Sequence, residues 1–274
     1  MKVLLITLLI FFPTWLAAQD RRPSHCIALA QKADVPFVHK ASFHTPPSTF
    51  SVRISYIDHA MFLIQSAGGT SAVTDYTGFL GLRDFVPDVV TMNHAHDSHW
   101  TSYPDPKIPN VLKGWEHGGR AEHHLDLGDM LVRNVPTDIR ARFGGGVEKD
   151  GNSIFVFETE GLCIGHLGHL HHEPSPQQYA ALGRLDVVMA AVDGGMTVDL
   201  PTMIRILKRL KSSVVVPMHW WSRTNLNMFL AGMADEFAID RTGGTSFEVS
   251  LRTLPDRPTV RVLQPRYLQG DADE

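Results

Sequence analysis

The chain has 274 residues, of which 43% are hydrophobic and 20% are charged, and this composition is ordinary for a globular protein with one substantial core. The formal net charge of -4 provides no basic surface that would neutralise a phosphate backbone, so the composition argues against nucleic-acid binding. Fifteen histidines are many for this length, and their local clustering is more than scattered surface histidines would give.

The N-terminus has the pattern of a cleaved secretory signal. Lys2 precedes an apolar run over residues 3–12, and the small pair Ala17-Ala18 leads into polar sequence. The run is too short to span a bilayer comfortably. We expect a signal peptide over residues 1–18, an extended lead over 19–50 and one domain over 51–274. The protein would then be periplasmic or secreted and would not stay inserted in a membrane. An uncleaved anchor is the alternative.

The chain contains two cysteines, Cys26 and Cys163. So few cysteines imply no disulfide framework, even in an oxidising compartment. Cys163 lies between Leu162 and Ile164, where we expect a packed core thiol.

Period-two patterning with glycine turns predicts a strand-rich first half, and alternating strands and helices follow it. The predicted strands cover residues 51–57, 60–65, 71–76, 86–92, 122–135, 153–158, 162–165, 187–192 and 214–218. The predicted helices cover 177–182, 202–211 and 226–237. This order suggests packed sheets covered by helices.

The most informative feature is the sequence His94-Ala95-His96-Asp97-Ser98-His99, which follows the strand predicted over 86–92. A strand that ends in three histidines within six positions places several nitrogen donors in a small volume. Neutral imidazole is the commonest protein ligand of zinc. A metal site is therefore the leading hypothesis.

Further histidines follow two other predicted strands. His166 and His169 come at the end of one, before the pair His171-His172, and His219 comes directly after the other. Ends of neighbouring strands meet at one sheet edge, where open α/β sheets place their ligands. We predict a shared site there. His59 is a weaker candidate that could orient a ligand or cap a strand. For each histidine, a plain hydrogen bond to a carbonyl or a nearby acid is the alternative.

This ordered series resembles the metallo-β-lactamase superfamily, and within it the ascorbate-6-phosphate lactonase-like and phospholipase D-like hydrolases. The matching segments are 57–60, 73–75, 94–99, 164–168, 192–197 and 216–219. The resemblance implies an α+β fold, a four-layer αββα sandwich of two mixed β-sheets covered by helices. It also implies one or two zinc-like ions with a water nucleophile. His94 and His96 would hold the first ion, while His99 and His219 would hold the second.

The chain departs from the family pattern at three positions. Ser98 stands where the family has aspartate, and His169 stands where it has the bridging carboxylate. No histidine occurs near residues 135–140, where Asp138 is the nearest donor. Imidazole generally binds one metal and offers no charge to offset a second. We therefore predict one ion, zinc before manganese or iron, bound by His94, His96, His169 and His219 with His99, leaving a position for water.

Such a centre favours a hydrolase acting on an ester, lactone or phosphodiester of a small molecule, because zinc lowers the pKa of bound water to about 7. Asp97 or Asp138 could orient that water or protonate a leaving group, and each could equally be a solvated turn residue. The indoles of Trp115, Trp220 and Trp221 could line a pocket for an apolar or ring-bearing substrate. The alternatives are a non-catalytic metal- or ligand-binding descendant of the fold and a histidine-rich metal carrier.

Overall fold

The computed structural model describes residues 22–27, 45–94, 96–117, 119–141 and 146–270. The predicted signal peptide, the proposed cleavage site and most of the predicted lead lie outside these ranges. No helix within them is long and apolar enough to cross a membrane.

The first sheet has six strands, and its members run both parallel and antiparallel. The three strands that come first in the chain are joined by hairpins and pair antiparallel, and the two strands that follow them in the chain pair in parallel. In sheet order the strands are β13 (Ser246–Val249), β1 (Val52–Asp58), β2 (Met61–Ser66), β3 (Ser71–Val73), β4 (Val89–Met92) and β5 (Asn110–Lys113).

Within the described residues the second sheet has eight strands, and five neighbouring strands run parallel. In sheet order the strands are β12 (Ala238–Asp240), β14 (Thr259–Arg261), β11 (Val214–Met218), β10 (Val187–Ala191), β9 (Leu162–His166), β8 (Val147–Thr159), β7 (Met130–Arg140) and β6 (His124–Asp126). Because β12, β14, β11, β10 and β9 run in one direction, their C-terminal ends share one edge.

The main core lies between the two sheets. Alternate residues of β1 and β2, such as Ile54 and Phe62, pack there against Phe157, Ile164 and Val216 of the larger sheet. The intervening residues of the smaller sheet face outwards into a second apolar cluster. Both faces of β1 and β2 are therefore buried, although the alternation over residues 51–57 is typical of a strand with one solvated face.

Three helices cover the outer face of the larger sheet: α1 (Pro176–Leu182), α2 (Leu200–Leu210) and α3 (Arg223–Met233). Side chains cap their first turns: Ser175, Asp199 and Ser222 accept backbone N–H bonds there. In the described part of the chain, loops and one short 3-10 turn cover the outer face of the smaller sheet. The predicted α+β fold with two mixed sheets is confirmed, with its α-helices on one side.

Several predicted boundaries were wrong. The single strand predicted over 122–135 is the hairpin β6–β7, because Gly128 turns the chain at a φ of 90°. Helix α3 begins at Arg223 and ends at Met233, since Ser222 caps it. The three- and four-residue strands β5, β12, β13 and β14 were not predicted, because they are too short for a periodic signal.

Cys26 and Cys163 form a disulfide, with their Cα atoms 5.8 Å apart, so the prediction of a core thiol without a disulfide was wrong. The segment 22–27 lies against the larger sheet and brings the two residues together across 137 positions of sequence. Ser24 Oγ and the His25 backbone N–H donate to Glu158 on β8, at 2.5 and 3.0 Å. Arg133 Nε donates to the same carboxylate at 2.7 Å.

Candidate metal centre

Residues from both sheets meet at one edge of the sandwich. In the larger sheet, His169, Asp193 and His219 follow the C-terminal ends of β9, β10 and β11. In the smaller sheet, Asp75 and the segment 94–99 follow β3 and β4. The turn between β1 and β2 adds His59. The predicted convergence of strand ends is therefore present in the fold.

Four imidazoles form the centre of this arrangement. Each of His59, His96, His99 and His219 offers one nitrogen, and these four nitrogens all lie within 4.8 Å of one another. Ring centroids are 3.9 Å apart for His59 and His219, and 4.6 Å apart for His96 and His99. We call these four residues the imidazole cluster.

His169 lies beside the imidazole cluster. Its Nε2 atom is 2.9 Å from His96 Nε2, and its Nδ1 atom is 2.7 Å from His171 Nε2. The backbone N–H of His169 donates to Asn152 Oδ1 at 2.9 Å, which fixes the turn after β9. His169 thus joins the cluster to His171.

Two buried carboxylates lie against cluster imidazoles. Asp75 Oδ2 lies 2.5 Å from His99 Nδ1, and Asp193 Oδ2 lies 3.0 Å from His219 Nδ1. The Asp75 contact favours the His99 tautomer that carries hydrogen on Nδ1, so that its Nε2 lone pair is free to bind a metal. The Asp193–His219 contact is close but lies outside hydrogen-bond geometry.

Neighbouring polar groups hold both carboxylates in place. Asn93 Nδ2 donates to Asp75 Oδ1 at 2.9 Å. The backbone N–H groups of Gly195 and Met196 donate to Asp193 Oδ1 at 2.8 and 2.6 Å, and Thr197 Oγ1 donates to Oδ2 at 2.7 Å. Burial opposes ionisation of Asp193, but these donors and His219 outweigh it and hold its pKa well below the usual value. Asp193 is therefore an anionic anchor.

Burial also keeps several imidazoles neutral. It lowers the pKa of His59 to about 2, with the neighbouring histidines adding to the effect. The same causes lower the pKa of His99 and His169 far below the usual value. Burial raises the pKa of Asp75 to about 6, although His166 and Asn93 oppose this shift. A neutral imidazole is the form that binds metal.

The backbone is left-handed at two members of the cluster, with φ of 44° at His59 and 57° at His219. The backbone N–H of His219 donates to the His59 carbonyl at 2.9 Å, and Tyr56 Oη donates to the same carbonyl at 2.6 Å. These bonds join the two turns. They also offset the free-energy cost of a left-handed backbone at residues other than glycine.

The imidazole cluster does not include five of the predicted site residues: His169, which lies beside it, and His94, Asp97, Asp138 and His166. His94 instead stacks on Trp115, with centroids 4.8 Å apart, and its Nδ1 lies 3.3 Å from Glu148. Asp97 is exposed in the 3-10 turn. Asp138 accepts from Lys149 Nζ at 2.6 Å.

His166 is also occupied by backbone bonds. Its Nε2 atom lies 2.8 Å from the Ala60 carbonyl, while Nδ1 accepts the Gly168 N–H at 3.2 Å. Both ring nitrogens therefore have partners other than a metal. This is the structural alternative that the sequence left open for His166.

Sequence reasoning missed the partners of the histidines: Asp75, Asn93, Asn152 and Asp193. Asp75 and Asp193 do follow strands and lie in matching segments, so their positions were signals for the site. Which imidazole each one faces depends on the packing of the two sheets.

The donor set fits a metal ion. The Nε2 atoms of His59, His99 and His219 are buried and have no hydrogen-bond partner within the described ranges. Buried polar atoms without a partner are costly, and three of them on residues of one cluster indicate a missing ligand. Neutral imidazole nitrogens suit zinc and similar ions.

Comparison with known proteins also agrees with a metal site. A family model described as a beta-lactamase superfamily domain matches residues 53–219. A UPF0173 metal-dependent hydrolase of Methanoculleus marisnigri is 27% identical over 222 residues, which cover 73% of this chain and 93% of that protein. A UPF0173 protein of Pyrococcus furiosus is 22% identical over 62% of this chain and 83% of its own length.

Solved structures share the fold. A Thermotoga maritima structure assigned to the Zn-dependent hydrolases of the metallo-β-lactamase superfamily has a TM-score of 0.56 and 25% identity, covering 77% of this chain and 98% of its own. A metallo hydrolase of Ignicoccus hospitalis has a TM-score of 0.53 and 18% identity, covering 78% and 96%.

Proposed function

The chain belongs to the beta-lactamase superfamily, and on that premise we propose that it is an exported metal-dependent hydrolase that cleaves an ester, lactone or phosphodiester bond in a small molecule. The observation that supports this most directly is the imidazole cluster, whose four nitrogens lie within 4.8 Å of one another. The Methanoculleus relative, named a metal-dependent hydrolase, supports the same reaction class.

We propose one zinc ion, with manganese or iron as the alternatives, held by nitrogens of His59, His96, His99 and His219. When bound, such an ion supplies an activated water and polarises the bond to be cleaved. Asp75 and Asp193 face the Nδ1 atoms of His99 and His219. Because they are engaged there, the cluster is a neutral donor set without a bridging carboxylate, which favours one cation over two.

The protein's own groups prepare the centre for this ion. Asp193 lies against the ring of His219, Asp75 fixes the ring of His99, and burial keeps the imidazoles of His59 and His99 unprotonated. His96 Nε2 lies 2.9 Å from His169 Nε2 and His96 Nδ1 lies 2.7 Å from Ser98 Oγ, so one of these contacts would give way when His96 binds the ion. The site is therefore organised before any substrate arrives.

Trp221 forms an apolar wall at the entrance. It is 65% exposed, and its ring centroid lies 4.7 Å from that of His59 and 5.9 Å from that of His219. An exposed indole over the cluster suits a substrate that carries an apolar or ring-bearing group next to the scissile bond.

Metal removal and reconstitution test the proposal. The chelated protein is assayed on p-nitrophenyl butyrate, δ-valerolactone and bis(p-nitrophenyl) phosphate before and after one equivalent of zinc or manganese. We expect activity on at least one substrate class to return with the metal in wild type and in His117→Ala, an exposed histidine outside the cluster, but not in His219→Ala. A purified protein that takes up no stoichiometric metal would refute the proposal.

A second candidate is a non-catalytic metal-binding protein. The observation in its favour is that four imidazoles are enough to complete a tetrahedral shell and leave no position for water. X-ray absorption of the zinc form distinguishes the two functions. Four nitrogen ligands and no oxygen would favour the non-catalytic protein, whereas a nitrogen shell with one oxygen ligand would favour the hydrolase.

We further propose that the protein works outside the cytoplasm. The signal-like start and the disulfide between Cys26 and Cys163 both support this, because disulfides persist in oxidising compartments. Expression of the full chain with mass analysis of the periplasmic fraction tests the idea. We expect a mature chain that starts near Gln19, and accumulation of the uncleaved chain in the cytoplasm would contradict it.

A further inference from the structure

A second cavity opens at the same edge of the larger sheet as the imidazole cluster. Its volume is about 230 Å³, and its lining includes Trp220, Arg223, Asn227, Arg241 and Gln264. We call it the arginine cleft. Trp220 directly follows His219, Arg241 directly follows β12, and Gln264 lies three residues beyond β14. Because β11, β12 and β14 are parallel, these three residues share the edge that carries the metal centre.

The charge of the arginine cleft is positive and uncompensated. No carboxylate of the described chain lies within ion-pair distance of Arg223 or Arg241. The nearest acid in sequence, Asp240, is already engaged, because Arg261 Nε donates to it at 2.9 Å and Thr242 Oγ1 at 2.7 Å. Two guanidinium groups that face one small cavity are a typical arrangement for binding carboxylate or phosphate oxygens.

Two contacts order the lining of the cleft. Arg241 Nη1 donates to Asn227 Oδ1 at 3.0 Å, which steadies the guanidinium against the helix α3. Trp220 forms an apolar wall of the cleft and packs partly against the core under the helices.

Helix α3 connects the cleft to the metal centre. Asn225 Nδ2 donates to the backbone carbonyl of Asp193, the residue that lies against His219. Asn227 and Arg223 of the same helix line the cleft. Trp220 lines the cleft, while its neighbour Trp221 lies over the cluster.

From this geometry we infer that the arginine cleft binds an anionic group of the substrate, a carboxylate or a phosphate, while the bond to be cleaved lies at the imidazole cluster. The inference rests on the proposed hydrolase function and narrows its substrates to anionic esters, lactones or phosphodiesters. A cavity of about 230 Å³ accommodates such a group but not a whole drug-sized molecule.

Direct binding tests the cleft independently of catalysis. Glutarate and inorganic phosphate are titrated separately into the metal-free protein by calorimetry, so that an organic carboxylate and free phosphate are distinguished. We expect saturable binding of at least one of them to wild type and to Arg252→Gln, an exposed arginine elsewhere. Affinity should fall on the order of tenfold in Arg241→Gln and further in the Arg223→Gln, Arg241→Gln double variant. No binding, or binding that the double variant retains, would overturn the inference.

A matched substrate pair connects the cleft to the reaction. The metal-loaded variants are assayed on mono-p-nitrophenyl succinate, which is anionic, and on p-nitrophenyl butyrate, which is neutral and has the same leaving group. We expect the double variant to raise KM for the succinate ester about tenfold, with kinetics on the butyrate ester unchanged.

The two assays separate failure of the cleft from failure of the proposed hydrolase. Anion binding that depends on the arginines, without metal-dependent hydrolysis of either ester, would support the cleft and count against the hydrolase. Metal-dependent hydrolysis of the succinate ester that the double variant leaves unchanged would support the hydrolase and refute the cleft's role in substrate binding. Circular dichroism and thermal unfolding confirm that each variant is folded.

Discussion

The histidines at the sheet edge differ in what they contact, and this difference predicts different effects on metal binding. His59 contributes a buried, unpartnered Nε2 atom to the imidazole cluster, whereas His94 stacks on Trp115. His59→Ala should therefore weaken zinc binding by at least about tenfold, since loss of even an outer hydrogen-bond partner costs about 10- to 100-fold. His94→Ala should leave zinc affinity nearly unchanged.

Competition with a chromophoric chelator measures both affinities. The two variants remove the same side chain from neighbouring parts of one site, so each is the control for the other. Equal losses, or a larger loss in His94→Ala, would show that His94 turns into the cluster when metal is present.

For individual residues, the sequence indicated which residue types lie together at the sheet edge but not which of their atoms are in contact. His96, His99, His169 and His219 were singled out because they follow strands, and the fold places them side by side. His59 was a weaker candidate, since its inclusion depends on how the β1–β2 turn packs on β11. His94 carries the same side chain as His96, but its ring stacks on Trp115 and not in the cluster. Trp115 is distant in sequence, so this contact could not be read from the local pattern.

The turn after β9 allows a prediction about an element. Gly168 has φ of 60°, and a Cβ atom there would lie 2.5 Å from Asn93 Nδ2 and 2.6 Å from Asn152 Oδ1. Those two amides hold Asp75 and the His169 backbone. Gly168→Ala should destabilise the protein by about 2–4 kcal/mol and weaken zinc binding, because backbone strain and overpacking add.

Gly128→Ala is the matched control for this turn. Gly128 also has positive φ, 90°, but nothing lies within 4 Å of its would-be Cβ. We expect it to cost only about 1 kcal/mol, with zinc binding intact. Urea unfolding of both variants provides the comparison, and similar losses of stability in the two would contradict the crowding described here.

Elements were predictable where periodicity ran for five or more residues. The strands β1, β2, β9, β10 and β11 and the helix α2 were found close to their observed positions. Four short strands escaped, because three or four residues carry no period and their pairing comes from neighbours in the sheet. The turn at Gly128 was missed, since the apolar pattern continues across it.

For the molecule as a whole, the disulfide joins the N-terminal segment to the larger sheet. Closing a loop of 137 residues restricts the unfolded chain, so Cys163→Ser should lower the free energy of unfolding by about 2–5 kcal/mol. Cys26→Ser should have a similar effect, and the double variant should be no worse than either single variant. Guanidinium unfolding with and without reductant measures this, and an unchanged wild-type midpoint under reduction would contradict it.

Glu158 provides a second link between the same segment and the sheet, and it predicts a pH dependence. Burial alone would raise the pKa of this carboxylate, but hydrogen bonds from Ser24 and Arg133 and the guanidinium charge lower it below the ordinary 4.5. A depressed pKa stabilises the folded state above pH 4.5, and this contribution is lost as pH falls through the folded value.

Glu158→Gln should therefore cost about 3 kcal/mol near pH 7, because Arg133 is left buried without its counter-ion. The difference from wild type should shrink steadily below pH 4.5. Urea unfolding at a series of pH values tests this, with Glu122→Gln, a change on the exposed surface, as the control. A difference that stays constant down to pH 3 would contradict the role of this carboxylate.

The pairing of Cys26 with Cys163 shows why contacts between distant parts of the chain were the hardest feature to predict. Two cysteines far apart in sequence give no pattern, and their meeting depends on where the segment 22–27 lies. That segment is held by Glu158, which the sequence placed only at the end of a predicted strand.

The left-handed backbone at His59 and His219 also bears on how the protein would evolve in the laboratory. Each conformation costs on the order of 1 kcal/mol that glycine would not incur. A selection for heat resistance alone does not act on zinc binding, so any substitution there that gave a net gain in stability would be kept even though it discards the centre. Variants selected for a higher melting temperature should therefore also be screened for zinc binding, because the same two turns affect both the stability of the fold and the metal centre.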